Sequence, residues 1–205
     1  MLIELIFENP TLYLMIAVSI LFGFTVHEYS HAQAAYFLGD QTAKDSGRLT
    51  INPLAHFDPI GTLLIFIIGI GWGKPVPFNP YNLRNQRWGP ALIGLSGPIS
   101  NFLSALIVGL LLRFLGLSNP FLIVFFLVFV WINLILAVFN LLPVPPLDGS
   151  HIFLSMLPSS LEKFKLFLQT SPILIIIALF FMIYIGSPYI CRPLFSLITG
   201  TPSPF

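Results

Sequence analysis

The stretch TLYLMIAVSILFGFTVHEYSHAQAAYFL, residues 11–38, decides the fold. A helix needs about 20 mostly apolar residues to cross a bilayer, and this run is longer. Its apolar residues are continuous rather than alternating, which fits a helix and excludes a transmembrane barrel strand. The only groups in it that ionise near neutral pH are His27, Glu28 and His31, all in its C-terminal half. Upstream stand Glu4 and Glu8, where a secretory leader would carry basic residues. The apolar run also passes straight into HEYSH, so the expectation is a retained helix and not a cleaved leader.

Outward from this helix, three more stretches reach spanning length: about Pro90 to Leu115, Pro120 to Leu142 and Thr170 to Ile190. A shorter run, Ile60 to Trp72, contains three glycines and is too short to cross. Between the runs lie polar, turn-rich residues 39–59, a glycine- and proline-dense segment at 71–90, and PVPPLDGSH at 143–151. The 205 residues include only 17 charged ones, 8 % against about 25 % in soluble domains, with 56 % hydrophobic residues. An ordinary soluble enzyme and a disordered tail are both excluded. A net charge of +1 gives no reason to expect nucleic acid. Cys191 is the single cysteine, which excludes an internal disulfide and a multi-cysteine metal site. The expectation is one domain over residues 1–205. Its class is an all-α polytopic membrane protein, with about four spanning helices and a re-entrant or membrane-surface segment near residues 60–78.

His27-Glu28-Tyr29-Ser30-His31 is an HExxH pattern. Positions i and i+4 share a helix face, so both imidazoles point to one spot, as two ligands of a tetrahedral zinc must. The adjacent glutamate suits a general base acting on a zinc-bound water. Ionisable groups inside a membrane helix are costly, which favours function over a merely solvated cluster. Ser19, Gly23, His27, His31 and Ala35 follow at i+4, and such small residues mark a face that another helix approaches closely. A third ligand is required, and His56, His151, Asp40, Asp45, Asp58, Asp148, Glu162 and the N-terminal glutamates are the candidates. Asp148 stands out because the helix-ending PVPP run precedes it and Gly149 follows it.

HEYSH in the first long helix and NLLPVPPLDG, Asn140 to Gly149, after a later one resemble the site-2 proteases, which are intramembrane zinc metalloproteases. NPLAHFDPIGTLL (Asn52 to Leu64), GWGKPVPFNP (Gly71 to Pro80) and GPISN (Gly97 to Asn101) are similar to the same family. Together the matching segments cover about residues 22 to 150. The resemblance implies that His27, His31 and Asp148 bind one zinc and that Glu28 activates water. It also implies that the substrate is the transmembrane segment of a membrane protein. The PDZ or CBS module that many relatives carry is not expected within these residues.

Ligands must converge, which tests topology. If residues 60–72 do not cross, His31 and Asp148 emerge on the same side; if they cross, the site cannot assemble. Lys44, Arg48, Lys74, Arg84, Arg87, Lys163 and Lys165 then fall on the active-site side, and Arg113 and Arg192 on the other. This excess places the active-site side in the cytoplasm of a cell membrane and the N-terminus outside.

Asn101 and Asn140 are candidates for binding the substrate backbone or the developing oxyanion, against the alternative of interhelical hydrogen bonding. Asn133 is assigned to that alternative. Gly97, Asn101, Ala105 and Gly109 form a small, polar face, with Ser96, Ser100 and Ser104 beside it. His56 reads as loop structure, His151 as a weaker ligand candidate than Asp148, and Lys163 and Lys165 as interfacial anchors. Residues 69–77 suit an extended edge that pairs with an unwound substrate. Two rival readings are a membrane metal or proton carrier and a non-catalytic zinc-binding scaffold.

Overall fold

The computed structural model describes residues 2–69, 71–171 and 173–203. Seven helices carry the fold: α1 (Pro10–Phe37), α2 (Pro59–Ile68), α3 (Gly89–Phe114), α4 (Pro120–Asn140), α5 (Gly149–Met156), α6 (Glu162–Thr170) and α7 (Ile173–Thr199). No strand forms among the described residues. α1, α3, α4 and α7 are long and apolar enough to cross a membrane. Proline occupies the first turn of α1, α2 and α4, where its missing N–H costs nothing. Asn9, Asp58 and Asn119 cap those three helices by accepting from their first free N–H groups.

The helices are inside-out relative to soluble ones. On α1 the small and polar stripe Ser19, Gly23, His27, His31 and Ala35 is buried, while Leu14, Val18 and Phe22 are exposed. On α3, Gly97, Asn101, Ala105 and Gly109 face inward, and Leu92, Ile99, Leu103 and Leu110 face outward. A bilayer dictates this arrangement, because lipid solvates the apolar face while small residues let helices pack closely. α1, α3 and α4 form the central three-helix unit. α7 closes one side through a core of Ala105, Val130, Trp131, Leu134, Met182, Cys191, Phe195 and Ile198. At the C-terminal ends of α3 and α7, Arg113 donates to the Leu197 carbonyl at 2.5 Å.

The short apolar run is re-entrant. Ten residues give α2 a length of about 15 Å, half a hydrocarbon core. Its start lies level with the middle of α1, where the Phe57 and Phe24 rings are 6.0 Å apart. Its end lies level with the start of α1, where Tyr13 donates to the Phe66 carbonyl at 3.3 Å. Gly69, at φ +88°, ends the helix, and residues 71–79 return without helix or turn. On the way back, Gly71 packs on Gly61 and Gly73 packs on Phe24 so closely that a Cβ would collide at each. Ile70, part of the expected edge at 69–77, lies outside the described residues.

The last helix runs further than the sequence suggests, from Ile173 to Thr199 instead of Thr170 to Ile190. Residues Met182–Cys191 form wide π-type turns that absorb Pro188, so the proline does not end the helix. Its inward positions are Ala178, Met182, Gly186, Cys191, Phe195 and Thr199.

Asp40 ties the return stretch to the end of α1. Its buried carboxylate accepts from Asn79 N–H at 2.7 Å, Asn82 Nδ2 at 2.9 Å, Thr42 Oγ1 at 2.6 Å and Thr42 N–H at 3.1 Å. Burial opposes ionisation, but these four donors hold the carboxyl below its ordinary value. The stabilisation is therefore present above the unfolded value, about 3.9, and is lost as pH falls through the depressed folded value. Asp40→Ala should reduce hydrogen-exchange protection of the Asn79 amide by about tenfold or more at pH 7. The gap between variant and wild type should close as pH falls below about 4.

Candidate metal centre

The buried stripe of α1 puts His27 and His31 one turn apart, with their Nε2 atoms 3.0 Å from each other. Asp148, just before α5, brings Oδ2 to 2.9 Å from His27 Nε2 and 3.3 Å from His31 Nε2. The three ligand atoms lie within 4.8 Å of one another, and both histidines are buried. Chain geometry allows this only because the neighbours are small. A Cβ on Gly97 would stand 2.5 Å from His31 Nε2 and 2.7 Å from His27 Cε1. A Cβ on Gly94 would stand 2.7 Å from the Asp148 carbonyl oxygen, and one on Gly149 would run into the Leu141 carbonyl.

Hydrogen bonds set the tautomers. His27 Nδ1–H donates to Asn101 Oδ1 at 2.6 Å. The Asn101 orientation is set in turn, since its Nδ2 donates to the Gly23 carbonyl at 2.9 Å and to Asn133 Oδ1 at 3.0 Å. His31 Nδ1–H donates to the Ile93 carbonyl at 2.7 Å. Ser96 donates to the same carbonyl at 2.6 Å, and its own oxygen lies 3.3 Å from His31 Nδ1. With both Nδ1 atoms protonated, both neutral Nε2 atoms present lone pairs to each other and to a carboxylate oxygen. Among the described residues Asp148 Oδ2 has no conventional hydrogen-bond donor. Three lone-pair atoms facing one point in a buried site repel unless a cation lies between them. Two imidazoles and one carboxylate suit zinc and leave a fourth position for water.

Glu28 is buried beside the pair, at 8 % exposure. Arg48 is more deeply buried, and its charge reaches Glu28; burial pulls the guanidinium below its ordinary value against that attraction. Its Nη2 donates to the Lys74 carbonyl and lies 3.4 Å from His56 Nδ1. His56 Nε2–H donates to the Thr50 carbonyl at 2.8 Å, and the His56 carbonyl accepts from Lys74 N–H at 2.8 Å. His56 thus belongs to the loop that holds the return stretch. His151 is one turn beyond Asp148, its ring 5.8 Å from that of Phe78. Burial pushes the His151 imidazole below its ordinary value. Asn101 touches His27 directly, whereas the Asn140 amide donates to the Leu136 carbonyl of its own helix at 3.0 Å. Asn133 Nδ2 donates to the Phe129 carbonyl at 2.9 Å, supporting Asn101 from α4. The Ile93 carbonyl and Arg48 are part of the setting that the sequence does not announce.

The chain is similar to known proteins over much of its length. The sequence model described as "Peptidase family M50" matches residues 116–185. "Putative zinc metalloprotease YwhC" of Bacillus subtilis is 40 % identical over 151 residues, 70 % of this chain and 69 % of the relative. "Putative zinc metalloprotease Rip2" of Mycolicibacterium smegmatis is 30 % identical over 67 % of this chain and 55 % of the relative. The Rip2 of Mycobacterium tuberculosis is 31 % identical over 69 % of this chain and 58 % of the relative. No solved structure matches the chain. With four membrane-length helices and these relatives, the molecule is a membrane zinc metalloprotease. It belongs to peptidase family M50, the site-2 protease family.

Groups that orient a ligand imidazole are worth about 10–100-fold in metal affinity. Asn101→Ala should weaken zinc binding by about that factor in a chelator competition in detergent. Gly97→Ala should lower zinc occupancy in purified protein, because the added methyl takes the space of the His31 ring edge.

Proposed function

We propose that residues 1–205 act as one intramembrane metalloendopeptidase domain. It hydrolyses a peptide bond in or near the transmembrane segment of a membrane-protein substrate. His27, His31 and Asp148 hold one zinc, and Glu28 is the general base. The observation that carries this reading is the set of two Nε2 lone pairs and a buried carboxylate oxygen converging beside a buried glutamate. A bound zinc would acidify a water and polarise the scissile carbonyl. Glu28 takes the proton from the attacking water and returns it to the leaving amide nitrogen, so atoms and charge balance over the cycle. Asn101 and the Ile93 carbonyl keep both imidazoles in the tautomer that presents Nε2.

The substrate must lose its helical hydrogen bonds before a carbonyl is accessible, and the return stretch 71–79 supplies partners. Lys74 is already held by His56 and Arg48. Among the described residues, the Val76 N–H and C=O have no hydrogen-bond partner. They form a short edge beside α1 to which an unwound strand can add. The excess of basic residues at the metal-centre end supports an active site on the cytoplasmic side of the cell membrane, with the N-terminus outside. The clustering of ionisable groups at one end argues against a carrier, which needs them along a path. Glu28 distinguishes a protease from a zinc-holding scaffold.

The test uses purified protein and a panel of single-span substrates, with zinc measured by mass spectrometry. Glu28→Gln should keep about one zinc per chain and lose about 10²–10⁴ in cleavage rate. Cleavage that survives in that variant removes Glu28 from the chemistry. Val76→Pro should cut cleavage while zinc stays bound; unchanged turnover would exclude the edge.

A further inference from the structure

A cavity lies beside the metal centre, between the loop that precedes α3 and helices α5 and α6. Its volume is about 660 Å³, and Gln86, Arg87, His151, Ser155, Lys165 and Gln169 contribute its polar lining. Nothing in the hydrolytic reading uses these groups. Three observations point to an occupant. The first is continuity. Phe78, at the end of the return stretch, packs edge-on against His151, and His151 lines the cleft one turn from Asp148. A chain that pairs with residues 71–79 therefore leaves the metal centre at the mouth of this cleft.

The second observation is the chemistry of the lining. Ser155 donates its hydroxyl to the His151 carbonyl and Gln86 Nε2 donates to the Tyr81 carbonyl, which leaves the Gln86 amide oxygen and the Gln169 amide to meet a peptide backbone, and the cleft is within the volume range of ordinary ligand sites. The third is charge. Arg87 and Lys165 come from separate parts of the chain, and among the described residues no carboxylate lines the cleft. The Arg87 guanidinium lies 5.6 Å from the Trp88 ring centre, which steadies it. Lys165 stands on α6, where Phe164 and Phe167 are exposed as an interfacial helix requires.

We infer that this cleft receives the aqueous flank of the substrate's membrane segment and selects a flank bearing Asp or Glu. The inference rests on the intramembrane-protease reading above. It has a physical consequence for specificity. Cytoplasmic flanks of membrane segments are ordinarily rich in Lys and Arg. A cationic cleft on that side repels them, so the bulk of spanning segments is rejected by like charge while an acidic flank is drawn in. Discrimination then acts on encounter and binding more than on the chemical step.

The test compares three versions of one cleavable single-span substrate, with two acidic, two neutral or two basic residues in the flank. Wild type should show kcat/KM about tenfold higher for the acidic than for the basic flank, carried by KM and shrinking at high salt. The double variant Arg87→Glu with Lys165→Glu should reverse the order, and Arg87→Lys with Lys165→Arg should keep it. The ratio between substrates is the readout, so a general loss of folded enzyme does not imitate the result. Equal rates for the three flanks, or an acidic preference that the double charge reversal leaves in place, overturn the inference alone. Absence of zinc-dependent cleavage of all three substrates overturns the protease reading and the inference with it.

Discussion

Two imidazole lone pairs and a carboxylate oxygen are aimed at one point inside a membrane protein, and the rest of the molecule is arranged to hold them there. Without a cation that convergence is repulsive, and a bound cation would turn it into an attraction. Each arm needs its own support. Asn101 and Asn133 brace His27 from α3 and α4, the Ile93 carbonyl braces His31, and Gly149 leaves room for the Leu141 carbonyl beside Asp148. The bundle is therefore a frame for three atoms, and its small residues exist to bring backbones close enough for those atoms to meet.

The same economy governs the re-entrant segment. Glycines 61, 71 and 73 let an irregular backbone lie against two helices. Non-helical backbone at membrane depth survives only where protein or water satisfies it. Arg48 and Asp40 provide that satisfaction with a buried guanidinium and a carboxylate, and His56 with its backbone carbonyl. Polar residues that look like candidates for chemistry are thus occupied with holding an irregular return stretch.

Much of this was legible beforehand, for identifiable reasons. Length and hydropathy located α1, α3 and α4 to within a few residues, because a bilayer makes a strict demand on both. The i+4 stripe through His27 and His31 revealed the inward face, and parity required the short run at 60–72 not to cross. The chain could not show which backbone groups serve as partners, since the Ile93 carbonyl leaves no mark in residue identity. It left Asn101 and Asn140 equal, although only Asn101 has a histidine within reach. It also ended the last helix at Ile190, although the structure carries it on to Thr199.

The wide turn at Met182–Cys191 has a consequence for the phase of α7. Its inward positions fall at intervals of four residues from Ala178 to Gly186, then five to Cys191, then four again to Phe195 and Thr199. At 100° per residue, repeated steps of four drift steadily around an α-helix. The single step of five takes up one surplus residue and leaves Phe195 and Ile198 aligned with the core that Met182 began. The π turn works as a phase corrector: one residue is accommodated as a bulge, and two half-helices share one interface instead of facing different neighbours.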